Sequence, residues 1–160
     1  MGLLAAEHRH IEASLHALSV SSPGQRRRRL ARELNSILAS HLRVEETTLH
    51  PLVRELVGSS QEEESDVEHE LILGGLSQAM QLVDAPGFCA ALDMLSAGVR
   101  RHVDDEEQAI LPALIEQLTL GEQSALGDAI LDARQDPDRL VEVAPQWSEL
   151  PAANAFSAGH

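Results

Sequence analysis

At 160 residues the chain is long enough for one domain with one real core, and too short for two. Hydrophobic residues make up 43% of it but aromatics only 2%, with no tyrosine, which fits an aliphatic helix bundle and excludes a phenolate ligand or a tyrosyl radical. A formal net charge of −14 excludes the phosphate neutralisation on which nucleic-acid binding depends.

The first helix is predicted from about Leu3 to Val20, because Leu4, His8, Ile11, Leu15 and Leu18 recur at steps of four and three, which places His8 in the apolar stripe itself. Ser21-Ser22-Pro23-Gly24 ends it. A second helix runs from about Gln25 towards Val57, with Leu34, Ile37, His41, Val44 and Thr48 on one face and Glu45 at its border. All twelve basic residues are arginine, and the run Arg26 to Arg29 reads as a solvated helix turn. Gly58 breaks the chain, and Ser59 and Ser60 ahead of Glu62 and Glu63 resemble a helix N-cap with acids in the first turn.

The third helix reaches about Val83 through His69, Ile72, Leu76 and Ala79, and Asp84-Ala85-Pro86-Gly87 turns the chain. The fourth extends to about Leu118, with Leu95, His102 and Glu106 inward. Pro51 and Pro112 each fall ten residues after a histidine, His41 and His102, and should kink or tighten the last turns. Thr119 with Glu122 reads as a capping box that opens a short fifth helix ending near Arg134. Short connections favour antiparallel neighbours, so the predicted fold is all-α: an up-down-up-down four-helix bundle with a short fifth helix and an extended C-terminal tail. Residues 1–134 form the domain, and residues 135–160, where the helical period is lost, are read as extended or disordered.

The single Cys89 excludes an internal disulfide and fits a reducing cytoplasm, where it reads as a structural thiol. No run approaches the ~18 apolar residues of a membrane span. A soluble cytoplasmic protein without membrane partners is expected.

The chain repeats itself at an offset of 61 residues: His8 matches His69, His41 matches His102, and Glu45 matches Glu106. The flanks repeat as well, Glu7 with Glu68, Ile11 with Ile72, Leu15 with Leu76, Glu46 with Glu107, and Pro51 with Pro112. Each half is thus a helix with one inward histidine followed by a helix carrying His-x-x-x-Glu, whose two side chains lie one turn apart and reach the same point. Up-down topology brings His8 and His69, early in their helices, level with His41 and His102, late in theirs. Six buried ionisable groups without compensation would cost several kcal/mol, and a bound cation removes that cost.

Imidazole with carboxylate suits iron, manganese or zinc rather than thiophilic copper. Six donors exceed what one tetrahedral zinc takes and suit two ions. In the simplest arrangement His8 and His41 hold one metal, His69 and His102 the other, and Glu45 and Glu106 bridge them with a shared oxo or hydroxo group. One coordination position is then left for a small molecule. Glu46 and Glu107 are read either as acceptors for ligand imidazole N–H groups or as solvated side chains. His10, His16, His50 and His160 are expected to be exposed.

Glu7-His8-Arg9, His41-Leu-Arg-Val-Glu45-Glu46 through His50-Pro51, Glu68-His69-Glu70, and His102-Val-Asp-Asp-Glu106-Glu107 through Pro112 resemble the haemerythrin family, in particular its HHE cation-binding branch. The resemblance covers roughly residues 1 to 134. It implies a non-haem di-iron centre, with manganese or zinc as lesser choices, that meets dioxygen, peroxide or nitric oxide. Two departures stand out. Oxygen-carrying haemerythrins have a second histidine one turn after the first on the third helix, where this chain has Leu73. Their fourth-helix carboxylate follows its histidine by five residues, the position of Glu107, whereas the internal repeat selects Glu106. Glu12, one turn after His8, is a candidate seventh ligand.

Three functions follow. The first is a protein that binds, senses or detoxifies a small gaseous or peroxide ligand. The second is a di-iron oxidase or oxygenase acting on a small organic substrate, with a pocket expected beside the metals near Leu73. The third is a metal-ordered interaction module, disfavoured by the lack of a separate output domain.

Overall fold

A computed structural model describes residues 2–135, and all of their regular structure is helical. The elements are α1 (Gly2–Ser19), α2 (Gln25–Thr48), α3 (His50–Leu52), a π-helical turn (Val53–Val57), α4 (Ser59–Gln81), α5 (Phe88–Asp105), a second π-helical turn (Glu106–Ile110), α6 (Leu111–Gln117) and α7 (Leu120–Gln135). α2 continues through α3 and its π turn as one rod, and α5 continues into α6 as another. With α1 and α4 these make four rods. α1 packs on α2 and α5, and α4 packs on the same two, closing the predicted up-down-up-down ring. α7 lies against α2 as the fifth helix. Apart from Gln135, the expected tail and its His160 lie outside the described residues.

The apolar stripes build two clusters rather than one. Ile11, Leu15, Leu34, Leu38, Leu76, Leu92, Leu95 and Val99 belong to the larger. Leu4, Val44, Leu49, Leu52, Ile110, Leu114, Leu126 and Ile130 belong to the second, which is where α7 buries its apolar face. Along α1 the order is Leu4, His8, Ile11, and along the fourth rod it is Val99, His102, Glu106, Ile110. Three rods therefore pass from one cluster to the other through a polar layer, while α4 reaches that layer at His69 from the larger cluster alone.

At Pro51 the helix is interrupted at Leu49 and tightened, with Leu52 N–H donating to the Leu49 carbonyl at 3.0 Å, whereas at Pro112 it widens instead. Pro112 has no N–H to offer the carbonyl four residues back, and its ring crowds that carbonyl. The chain relaxes in the preceding turn, where Leu111 N–H donates to the Glu106 carbonyl five residues away. After Pro51 the Gly58 N–H likewise donates to the Val53 carbonyl at 2.8 Å. Gly58 then reverses the chain at φ 140°, which no side-chain-bearing residue adopts without strain. Gly58 is itself the residue ahead of α4, so the expected serine cap does not form. Ser59 and Ser60 lie inside the helix, and Glu62 is buried against Arg54. The capping box at α7 does form: Glu122 accepts from the Thr119 N–H and hydroxyl, and Thr119 Oγ1 accepts from the Glu122 N–H.

The arginine run is also more than a solvated turn. Arg27 is buried, donating to the Ser21 and Val83 carbonyls and the Ser21 hydroxyl, with its guanidinium 4.6 Å from the Phe88 ring centroid. Arg28 ion-pairs with Asp84, whose other oxygen accepts the Gly24 N–H at 2.8 Å. Together they strap the α1–α2 turn to the α4–α5 turn, at the end of the bundle away from the histidines. Arg27→Leu should cost about 1–3 kcal/mol in urea unfolding because it strands buried acceptors. Arg26→Leu, on the exposed side of the same turn, should stay within about 0.5 kcal/mol. Equal small effects would show that Arg27 does no more than its solvated neighbour.

Candidate metal centre

The polar layer contains all six residues singled out by the repeat, none more than 3% exposed. His8, His41 and Glu45 offer ligand atoms within 4.8 Å of one another, and so do Glu45, His69 and His102. Glu45 is common to both sets, and its two oxygens divide between them. Oε1 lies 2.9 Å from His41 Nε2 and 3.8 Å from His8 Nε2. Oε2 lies 3.4 Å from His69 Nε2 and 3.3 Å from His102 Nε2. Glu106 Oε2 stands 3.1 Å from His8 Nε2, on the side of the first pair. Ring centroids are 4.9 Å apart within each histidine pair, and 6.2 to 6.4 Å for His41 and His8 against His102. The histidine pairs and the shared Glu45 are those expected, whereas Glu106, expected as a second bridge, stands beside the first pair only.

A second ring of carboxylates orients the first. The Nδ1–H of His8 donates to Glu107 at 2.8 Å, that of His41 to Glu7 at 3.0 Å, and that of His69 to Glu46 at 3.1 Å. His102 Nδ1 faces Glu68 at an ion-pair distance of 3.9 Å. Each rod thus faces the histidine of the next with a carboxylate: α1 that of α2, α2 that of α4, α4 that of α5, and the α5–α6 rod that of α1. Fixing Nδ1 outward turns every Nε2 inward.

Those inward atoms have nowhere to go. Among the described residues ten buried side-chain atoms lack a hydrogen-bond partner, and seven of them are the Nε2 atoms of the four histidines, both oxygens of Glu45 and Oε2 of Glu106. They lie within ion-pair distance of one another without forming hydrogen bonds. Native proteins satisfy almost all buried polar atoms, so a concentration of this kind calls for a missing partner. Lone-pair nitrogens and carboxylate oxygens are the donor set of an imidazole–carboxylate metal site, and the residues fit one.

Electrostatics agree. Burial opposes charge on His8, but Glu106, Glu45 and Glu107 outweigh it and push the imidazole up to about 10. Burial is likewise outweighed at His41 by Glu45 and Glu7, which push it up to about 9. Burial would raise Glu45, yet His41, His102 and His69 hold it well below the usual carboxylate range. Burial and then the charge of Glu45 raise Glu106. Two buried carboxylates this close do not ionise together without positive charge between them.

Other candidates fall elsewhere. The π turn that starts at Glu106 points this residue inward and leaves Glu107 at the rim, holding His8 from behind. Glu12 turns out to Arg9. His10 and His16 are exposed as expected. His50 is not: it is buried, bonded to Asp66 at 2.7 Å, with its ring centroid 4.7 Å from that of His69. Cys89 is exposed. Leu73 is half-exposed in a shallow groove with Asn35, Ala39 and Ser77, apart from the six. Glu7 and Glu68 were visible in the sequence only as repeated neighbours of His8 and His69. The repeat was the signal, and what it did not say is that each serves a histidine on a different helix.

The family model described as Hemerythrin HHE cation binding domain matches residues 2–114. No curated protein and no solved structure matches the chain. Among the described residues no helix is long and apolar enough to cross a membrane.

A pH dependence follows from the raised imidazoles. Their attraction to the carboxylates stabilises the metal-free fold fully below the ordinary histidine value of about 6.5. That contribution is lost as pH rises through about 9 for His41 and about 10 for His8. A cation at Nε2 has to displace the same protons, so its stabilisation grows with pH. Thermal midpoints with and without added divalent metal should therefore diverge steadily from about pH 6 to about pH 9. A gap that ignores pH would mean that no cation replaces these protons.

Proposed function

The chain belongs to the haemerythrin HHE cation-binding family, and from that premise we propose that its bundle holds two iron ions and uses them to bind, sense or detoxify dioxygen, peroxide or nitric oxide. The observation that carries this reading is the set of seven inward atoms without partners, divided into two groups by the two oxygens of Glu45. His8 and His41 would hold one ion, His69 and His102 the other, with Glu45 between them and Glu106 completing the first. Bound iron would supply redox chemistry at these residues.

The protein's own part is orientation and exclusion. Glu107, Glu7 and Glu46 hold three of the imidazoles in one tautomer, Glu68 faces the fourth, and the two apolar clusters on either side keep bulk water from the layer. With four imidazoles in the layer and Leu73 turned away from it, the chain has fewer nitrogen donors than the oxygen carriers it resembles. That favours consuming or sensing the ligand over reversible carriage.

One observation favours the oxidase reading as a runner-up. A cleft of about 310 Å³ runs between α4 and α5 over Ile72, Leu95, Gly75 and Gly98, and ends at Glu68 and Arg101, the neighbours of His69 and His102. It is the apolar space that an organic substrate would need, on a different face from Leu73.

Protein expressed with ample iron should contain about two irons per chain and absorb by charge transfer in the near ultraviolet. His41→Ala should lower metal content and thermal midpoint together, and His16→Ala neither. Stoichiometric zinc with no iron, or a His16→Ala as damaging as His41→Ala, would contradict the proposal.

A further inference from the structure

Helix α7 lies beyond the residues matched by the family model and contributes none of the six inward side chains. It nevertheless reaches the site. Leu126, Ile130 and Ala133 bury it in the second apolar cluster, together with Leu4, one turn before His8, and Val44, beside Glu45. In its last turn Arg134, which is four-fifths buried, ion-pairs with Glu7. The oxygen it meets is Oε2, the same atom that accepts the Nδ1–H of His41. Arg134 thus stands to Glu7 as Arg9 and Arg101, from the rods of the bundle itself, stand to the comparable carboxylates Glu107 and Glu68.

We propose that α7 is a fifth, non-ligating arm of the metal centre, in which Arg134 is a positioning residue that holds Glu7 against His41 and so fixes the imidazole facing the first ion. The reason is geometric. Glu7 is on the rim, a quarter exposed, with a flexible side chain free to turn to solvent. An arginine anchored by a buried helix removes that freedom, and with it a way for His41 to swing off the ion. Partners of ligand imidazoles change metal affinity by about 10- to 100-fold when removed. Docking of α7, a segment separate from the ligand-bearing rods, thereby controls retention of a metal that it never touches.

The inference rests on a cation at His8, His41 and Glu45, and not on what iron reacts with there. Co(II) alone is therefore the probe. Wild type, Arg134→Gln and Arg134→Lys are loaded with Co(II), and two quantities are read: the rate of loss to a chelator, and the paramagnetically shifted, exchangeable Nδ1–H resonance of His41. Arg134→Gln should lose one of its ions about 10-fold faster and move the His41 resonance. Arg134→Lys should recover most of both, and the metal-free thermal midpoints of all three should agree. An Arg134→Gln protein with the wild-type rate and resonance overturns the inference while leaving the metal reading intact. So does one whose only defect is a lower metal-free midpoint, which would make Arg134 a packing residue. Wild type that takes up no Co(II) would overturn the inference and the proposed function together.

Discussion

Four imidazoles held by their outer nitrogens, so that their inner nitrogens converge on shared carboxylates, set the terms for the rest of this molecule. Hydrogen bonds to Glu7, Glu46 and Glu107 keep three of the rings from rotating away to find other partners, and Glu68 faces the fourth, His102, at 3.9 Å. Burial then prevents water from serving them, since none of the six inward residues is more than 3% exposed. Each buried unsatisfied group costs about 1–3 kcal/mol and charged ones more, so the bundle carries a localised destabilisation that a cation removes.

The remaining architecture follows from protecting that layer. Two aliphatic clusters flank it, and three rods cross it from one to the other. The fold also closes its two ends differently. At the far end Arg27 and Arg28 tie the α1–α2 and α4–α5 turns together through backbone carbonyls and Asp84. At the metal end π-helical turns, α6 and α7 supply the apolar cover. The π turn before Pro112 gives a single residue step its meaning: Glu106 goes in, and Glu107 stays at the rim behind His8.

The repeat made the fold and the six inward residues legible because period and chemistry coincide: His8 and His41 lie in apolar stripes where an imidazole has no other reason to be. What stayed hidden depends on partners from distant elements. Arg27 looked solvated beside three other arginines, and its burial comes from Ser21, Val83 and Phe88. His50 looked exposed ahead of a proline, and is covered through Asp66 and His69 on α4. Glu46 and Glu107 stood open between a solvated role and one behind an imidazole, and the partners that decide it, His69 and His8, lie on other rods. Arg134 gave no signal at all, since its partner Glu7 is at the other end of the chain.

The central claim is that the inward atoms are completed by two cations, one for each oxygen of Glu45. Anomalous diffraction from crystals of the iron-loaded protein, collected on both sides of the iron absorption edge, tests it most directly. The account predicts two edge-dependent peaks, one between His8 and His41 and one between His69 and His102, with Glu45 reaching both. A single peak, or ordered water bonded to the four Nε2 atoms with no anomalous signal, would contradict it.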